Sequence, residues 1–217
     1  MKKYLIGLLG CLVLASVASA EILMTANPIG KGKLSVSLGA KYDQNYFDMG
    51  NISMLCVDAL QYGLNDKLDL YASTGLGFSQ KATDKPRTMD ALTMSFGNVG
   101  LKYTLMNEDP NGRRASIAVN GAIKAGSNSK PTMNSWQYVV GVLASKRVNN
   151  FNPYLGINYR LTKQAYGDYS QVDYTLGTGI GPADRMIIIE DTVQSVDFGG
   201  ANFISNQIAL AFTIGLN

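Results

Sequence analysis

The sequence has 217 residues, of which 46% are hydrophobic and only 16% charged, and it contains no histidine. An ordinary soluble domain has roughly 25% charged residues, so a surface fully exposed to water is not expected. The formal net charge of +3, without a basic cluster, gives no reason to expect nucleic acid as a partner. The length suits one domain, and the apolar content excludes a disordered chain.

The first twenty residues have the pattern of a secretory signal peptide. A basic start at Lys2-Lys3 precedes an apolar stretch over residues 4–17 and a small-residue cleavage site at Ala18-Ser19-Ala20. One alternative is an uncleaved membrane anchor, but the apolar stretch is too short to span a bilayer. The other is lipid attachment at Cys11, but too little of the apolar stretch precedes this cysteine and too much follows it. Cleavage would leave Cys56 as the only cysteine, so no intramolecular disulfide is expected.

From residue 33 onward, apolar and polar residues alternate along the chain. In the first example Leu34, Val36 and Leu38 alternate with Ser35 and Ser37, which places the two sets on opposite faces of a strand. Further segments share this alternation: residues 68–78, 99–105, 115–125, 136–144, 151–161, 172–180 and 208–216. Two weaker segments, 52–62 and 185–194, have apolar residues on both faces or a break in phase, which predicts a bulge or partial burial.

This pattern predicts an all-β fold, an antiparallel up-and-down transmembrane β-barrel of about ten strands. The connections are expected to alternate between tight turns, such as Asn65-Asp66 and residues 106–112, and longer polar loops, such as residues 80–90 and 197–204. Bacterial outer-membrane barrels combine an even strand number with short periplasmic turns and longer outer loops. We therefore predict a signal peptide over 1–20, an N-terminal periplasmic segment over 21–32 and a β-barrel over 33–217, located in the bacterial cell outer membrane.

A secreted or periplasmic β-sandwich that acts as a binding module is the alternative, because apolar strand faces would then form its core. Gly, Ser, Thr and Asn dominate the polar faces, which suits a narrow lumen better than an exposed sheet. Aromatic residues such as Tyr62, Trp136 and Phe151 lie near strand ends, where bilayer interfaces would be. In a barrel, the first strand should pair with the last.

Two segments resemble a known family. Tyr62-Gly63-Leu64-Asn65-Asp66-Lys67-Leu68-Asp69-Leu70 and Phe96-Gly97-Asn98-Val99-Gly100-Leu101-Lys102-Tyr103 are similar to paired segments of small bacterial outer-membrane β-barrel proteins, those of the meta-pathway phenol-degradation family. The resemblance implies an outer-membrane barrel that passes small hydrophobic or aromatic compounds. Outer-membrane lipid and the barrel-assembly machinery would be its partners.

The sequence offers little of the usual chemistry of enzymes. Without histidine, Ser-His-Asp hydrolysis, Cys-His nucleophiles and histidine-ligated zinc are excluded. The run Gly177-Thr178-Gly179-Ile180-Gly181 lacks the lysine and the helix of a phosphate-binding loop and is interpreted as a strand. Glu190-Asp191 has no spacing that would bring it together with other carboxylates. We therefore expect no enzymatic activity, no catalytic residue, no metal and no cofactor.

Charged residues on the polar strand faces are the candidate site. They carry both signs and occur on several strands: Lys41, Asp43, Asp69, Lys102, Lys124, Arg160 and Asp173. We expect them to pair across the lumen, because an unpaired charge in a low-dielectric interior costs several kcal/mol. The alternative is that they line a solute path. Since about eight strands give an interior just filled by side chains, a ten-stranded lumen should be narrow. The predicted function is a non-enzymatic, porin-like barrel that is structural or passes small solutes.

Overall fold

The structure is a computed structural model that describes residues 25–44, 50–81, 91–109, 113–127, 134–163, 168–198 and 201–216. Ten strands follow one another along the chain: β1 (Leu34–Gln44), β2 (Gly50–Gly63), β3 (Leu68–Lys81), β4 (Ala91–Met106), β5 (Ser116–Ser127), β6 (Asn134–Ser145), β7 (Phe151–Lys163), β8 (Tyr169–Ile180), β9 (Arg185–Phe198) and β10 (Ala201–Leu216). No helix in these ranges is long and apolar enough to cross a membrane.

The ten strands form one closed antiparallel barrel. Each strand pairs with its neighbours in sequence, and β1 pairs with β10 from Leu34 opposite Leu216 to Gln44 opposite Asn206. The predicted strand number, the antiparallel barrel and the pairing of the first strand with the last are confirmed. The β-sandwich alternative is wrong, because a single sheet closes on itself and leaves no second sheet to pack against.

The two faces of the sheet differ sharply in chemistry. Along β7, exposed and buried residues alternate almost without interruption from Phe151 to Lys163. Large apolar side chains are exposed on the outer face of nearly every strand, among them Leu38, Leu101, Val140, Ile157, Leu176, Ile189 and Leu210. The buried face is mostly polar. A closed hydrogen-bonded wall with an apolar exterior is what a membrane-spanning barrel requires, because lipid cannot satisfy free backbone groups.

The two weaker strands differ from regular alternation for different reasons. In β2 the register with both β1 and β3 passes from Leu55 directly to Val57, so Cys56 is the extra residue of a bulge, as predicted. β9 keeps its register throughout. Its break in phase arises because Met186 and Ile188 point into the barrel, where both are buried.

The predicted alternation of loop lengths fails at two connections. β10 begins at Ala201, only two residues after β9 ends at Phe198, although this connection was expected to be long. Conversely, residues 107–115 separate β4 from β5, where a tight turn was expected. The β9–β10 ladder continues to the Phe198–Ala201 pair, so the polar residues Asp197 and Asn202, which resemble a loop in the sequence, belong to the paired strands.

The barrel wall begins and ends on the same side of the molecule. The first residue of β1, Leu34, lies opposite the last residue of β10, Leu216. We call this end the terminal end and the opposite one the far end. Residues 25–33 precede β1 and are called the N-terminal segment.

Candidate functional site

The first cluster of lumen charges lies near the terminal end. Asp69 of β3 and Lys102 of β4 are register partners on neighbouring strands. The Lys102 Nζ atom lies 3.1 Å from Asp69 Oδ2, and both side chains are fully buried. Gln61 Nε2 donates a hydrogen bond of 2.6 Å to the same carboxylate oxygen. Two of the predicted lumen charges thus form a buried ion pair.

Lys102 also binds the N-terminal segment. Its Nζ atom donates hydrogen bonds to the carbonyl oxygens of Thr25, at 2.8 Å, and Asn27, at 2.7 Å. Thr104 Oγ1 donates to the carbonyl oxygen of Ala26 at 3.0 Å, and the Ala26 amide donates to Ser145 Oγ at 3.1 Å. Ala26 is completely buried. The wall therefore satisfies the backbone of a short peptide inside the barrel.

Further contacts hold the two ends of this peptide. Asn27 Nδ2 donates to Glu108 Oε2 at 3.2 Å. The amide of Gly32 donates to the carbonyl oxygen of Gly63 at 2.8 Å, and the Gly63 amide donates to the Lys33 carbonyl oxygen at 3.0 Å. A Cβ atom at Gly63 would overlap the carbonyl oxygen of Gly30, so the approach requires glycine.

The second cluster of charges lies nearer the far end. Arg160 Nη2 of β7 lies 2.7 Å from Asp173 Oδ2 of β8, and both side chains are buried. Gln171 Nε2 donates to the other carboxylate oxygen of Asp173. Gln137 Oε1 accepts a hydrogen bond of 3.2 Å from Arg160 Nη1. Cation, carboxylate and two amides thus form one network across β6, β7 and β8.

Hydrogen-bonded side chains also fill the middle of the lumen. Tyr154 Oη donates to Glu190 Oε2 at 2.8 Å. Thr192 Oγ1 donates to the other Glu190 oxygen at 3.4 Å and lies 2.9 Å from Thr175 Oγ1. The Tyr154 ring lies over Gly177, where an added Cβ atom would overlap it.

An amide pair continues this packing on the neighbouring strands. Asn120 Nδ2 donates to Asn158 Oδ1 at 3.1 Å, directly above Gly141. Because a side chain at position 141 would overlap both amides, the glycine makes room for the bond. The interior of these strands is a packed polar core.

The structure brings four of the seven predicted lumen charges together in two ion pairs, Asp69–Lys102 and Arg160–Asp173. Lys124 is buried on the inner face of β5. Lys41 and Asp43 lie on β1, but their side chains are outside the described part of the molecule.

Sequence reasoning missed two features of the lumen. The Tyr154–Glu190 pair could have been found, because both residues fall in the polar phase of their strands. The N-terminal segment gave no such signal, since the hydrogen bonds of Thr25, Ala26 and Asn27 to the wall join residues 75 to 119 positions apart.

A cavity of about 210 Å³ lies beside the N-terminal segment at the terminal end. We call it the crescent cavity. Residues of β1, β2, β7, β9 and β10 form one wall, and residues 25 and 27–29 form the other. Its inner lining includes Ser37, Gln61, Asn152, Met186, Ile188 and Thr213. Among the described residues, no group of three or more histidine, cysteine or acidic side chains is placed to hold a metal ion.

Comparison with solved structures defines the class of fold. The barrel is similar to an outer membrane channel from Pseudomonas putida F1, with a TM-score of 0.57 and 9% sequence identity over 91% of this chain and 100% of that one. It is also similar to the β domain of the Bordetella autotransporter BrkA, with a TM-score of 0.51 and 11% identity over 86% of this chain and 100% of that one. The fold is that of a small bacterial outer-membrane β-barrel.

No family model matches the sequence, and no curated protein matches it either. Membership in the meta-pathway phenol-degradation family therefore stays a prediction.

Proposed function

We propose that this chain is an integral outer-membrane barrel without enzymatic activity, which passes small solutes through a narrow lumen. The observation that carries the proposal is the combination of an apolar exterior with an interior of paired charges and hydrogen-bonded polar side chains. An apolar exterior of this kind is suited to lipid. A polar interior offers polar solutes a route across the membrane that avoids the lipid.

The lumen restricts what such a path would carry. Buried ion pairs at two levels and the Tyr154–Glu190 contact between them leave little open cross-section. Barrels with 16 or more strands leave an open aqueous channel, whereas about eight strands are just filled. The barrel is therefore suited to solutes of a few heavy atoms rather than to general porin traffic. The family resemblance adds small hydrophobic compounds as a candidate cargo.

Signal-peptide cleavage, export and insertion by the barrel-assembly machinery belong to the same proposal. The exposed aromatic residues support it. Tyr62, Tyr103 and Phe151 lie toward the terminal end, and Trp136, Tyr138 and Tyr159 lie toward the far end. Two such belts match the positions that aromatic side chains take at the two interfaces of a bilayer.

Two measurements test the proposal. Unheated protein from the outer-membrane fraction should migrate differently on a denaturing gel from heated protein, because the closed barrel resists detergent. Purified protein in liposomes should then admit glycerol in a swelling assay. A folded, heat-modifiable protein without flux of any small solute would favour a purely structural role.

A further inference from the structure

We propose that small uncharged solutes enter at the terminal end through the crescent cavity, while the N-terminal segment stays bound to the opposite wall. This inference rests on the proposed function and specifies the entrance and the class of solute. On this view the N-terminal segment is a fixed constriction, and not a plug that must leave the barrel before a solute can pass.

The N-terminal segment is held on one side of the barrel. Its hydrogen bonds go to Gly63 on β2, to Lys102 and Thr104 on β4 and to Ser145 on β6. The crescent cavity lies mainly on the other side, along β7, β9, β10 and β1, and it meets the first side at Gln61 of β2. In the closed barrel the two groups of strands share only β2. The segment therefore narrows the mouth without filling it.

The contacts favour a stationary segment. Both backbone groups of Ala26 are hydrogen-bonded inside the barrel, and Lys102 binds the carbonyl groups on either side of it. Withdrawal would break these bonds together and leave the Lys102 ammonium group with a single described partner, Asp69. Leaving buried polar groups without hydrogen-bond partners costs free energy. Passage beside the bound segment therefore requires less free energy than displacement of the segment.

The lining defines the solute. Ser37, Thr213, Met186 and Ile188 supply hydroxyl groups and apolar surface without charge. Asn152 also lines the cavity, and its Oδ1 atom is buried with no hydrogen-bond partner among the described residues. A hydroxyl or amide group of a solute would satisfy this acceptor. A cavity of about 150 Å³ admits benzene, so the crescent cavity suits molecules up to about that size.

Charged residues are confined to the rim of the cavity. Lys33 and Asp184 are exposed there. The guanidinium group of Arg147 is held by the carbonyl oxygens of Asn149 and Gly181. An ion would therefore leave these rim charges for an inner wall that has none, which selects uncharged solutes.

The first experiment closes the cavity after folding. Thr213→Cys is made in full-length protein with Cys11 and Cys56 replaced by serine, and the thiol is treated with benzyl methanethiosulfonate. Phe212→Cys is the matched control, because the neighbouring side chain faces outward. We expect modification at position 213 to reduce glycerol swelling of proteoliposomes at least fivefold and reduction with dithiothreitol to restore it. Modification at position 212 should leave swelling unchanged, and lactate should enter more slowly than glycerol throughout.

The second experiment fixes the segment. Ala26→Cys and Ser145→Cys are combined in the same background, since the Ala26 nitrogen lies 3.1 Å from the Ser145 hydroxyl. The two positions are joined by a disulfide or, where that does not close, by a short bis-methanethiosulfonate linker. Glycerol flux should be the same before and after cross-linking.

The outcomes separate this inference from the proposed function. Absence of glycerol flux through unmodified, folded protein would overturn the proposed function and the entrance with it. Flux that stops on cross-linking and returns on reduction would overturn the fixed segment alone. Flux that persists after complete modification at position 213 would overturn the crescent cavity as the entrance.

Discussion

The Lys102 ammonium group has two structural roles, because it neutralises Asp69 and binds two carbonyl oxygens of the N-terminal segment. Lys102→Met keeps the length of the side chain but leaves a buried carboxylate without its cation. We expect the free energy of unfolding to fall by about 3–5 kcal/mol, as for other broken buried pairs. Denaturant titration of the protein in lipid vesicles measures this change.

A surface pair provides the control for Lys102. Lys163 lies 2.5 Å from Asp168 with about half of each side chain exposed. Because solvent screens such pairs, Lys163→Met should leave unfolding unchanged within error. The double variant Asp69→Asn/Lys102→Met should recover part of the lost stability. Equal effects of Lys102→Met and Lys163→Met would contradict the buried network.

The Asp191 carboxylate lies on the face of β9 that lipid would contact. It is exposed on the outer face, between its register partners Leu176 and Ile208, which are both apolar and exposed. Acidic side chains on a lipid face destabilise barrels, though less than the roughly 2–4 kcal/mol of a mid-membrane Arg or Lys. Asp191→Leu should therefore raise the free energy of unfolding by up to about 2 kcal/mol.

Glu190 is the matched residue for this comparison, since it is adjacent in sequence but buried inside the barrel. Glu190→Leu would remove the acceptor of the Tyr154 hydroxyl and should lower stability in the same assay. If both substitutions shift unfolding in the same direction, the assignment of the two faces of β9 is wrong.

At the scale of the strands, β1 and β10 offer a test of the outer face. Leu210 is more than half exposed, and Val36 is only the third residue of β1, close to the terminal end. The cost of a charge on the lipid face depends on depth, so Leu210→Arg should cost about 2–4 kcal/mol and Val36→Arg less. Ser37→Ala, which removes one inner hydroxyl, should cost less than Leu210→Arg. Vesicle unfolding of the three variants gives the order.

Gly63 links β2 to the N-terminal segment. Gly63→Ala should push Gly30 away and increase hydrogen exchange over residues 25–32, because the new Cβ atom would occupy the position of the Gly30 carbonyl oxygen. Gly121→Ala is the control, since the nearest atom to its added Cβ would be the Val139 carbonyl oxygen at 3.8 Å. Unchanged exchange in Gly63→Ala would show that the segment is not held at this point.

The strands were predictable and the peptide inside them was not. Period-two alternation is a local signal, and it placed Ser37 and Thr213 inside and Leu38 and Phe212 outside as the structure has them. Strand ends were less predictable, because the paired strand residues Asp197 and Asn202 resemble part of a loop in the sequence. The Asp69–Lys102 pair needed only the correct register of β3 and β4. The position of Ala26 depends on side chains of β4 and β6, which no local pattern specifies.

At the scale of the whole molecule, the N-terminal segment sets the width of the terminal mouth. Deletion of residues 25–32 should leave the closed wall of ten strands intact, because their pairing does not involve those residues. It should raise the single-channel conductance in planar bilayers several-fold, since the mouth would then be limited by wall side chains alone. Conductance equal to that of the intact protein would place the narrowest point elsewhere in the lumen.

The hydrogen bonds of Ala26 also indicate the order in which parts of the protein fold. This residue precedes all ten strands in the chain, yet its partners Thr104 and Ser145 stand on β4 and β6. The binding pocket therefore does not exist until those strands have come together, and contacts this distant in sequence form late. A segment that precedes every strand in the chain is thus among the last parts to reach its place. The time at which residues 25–29 become protected from protease would therefore show when the surrounding strands have assembled.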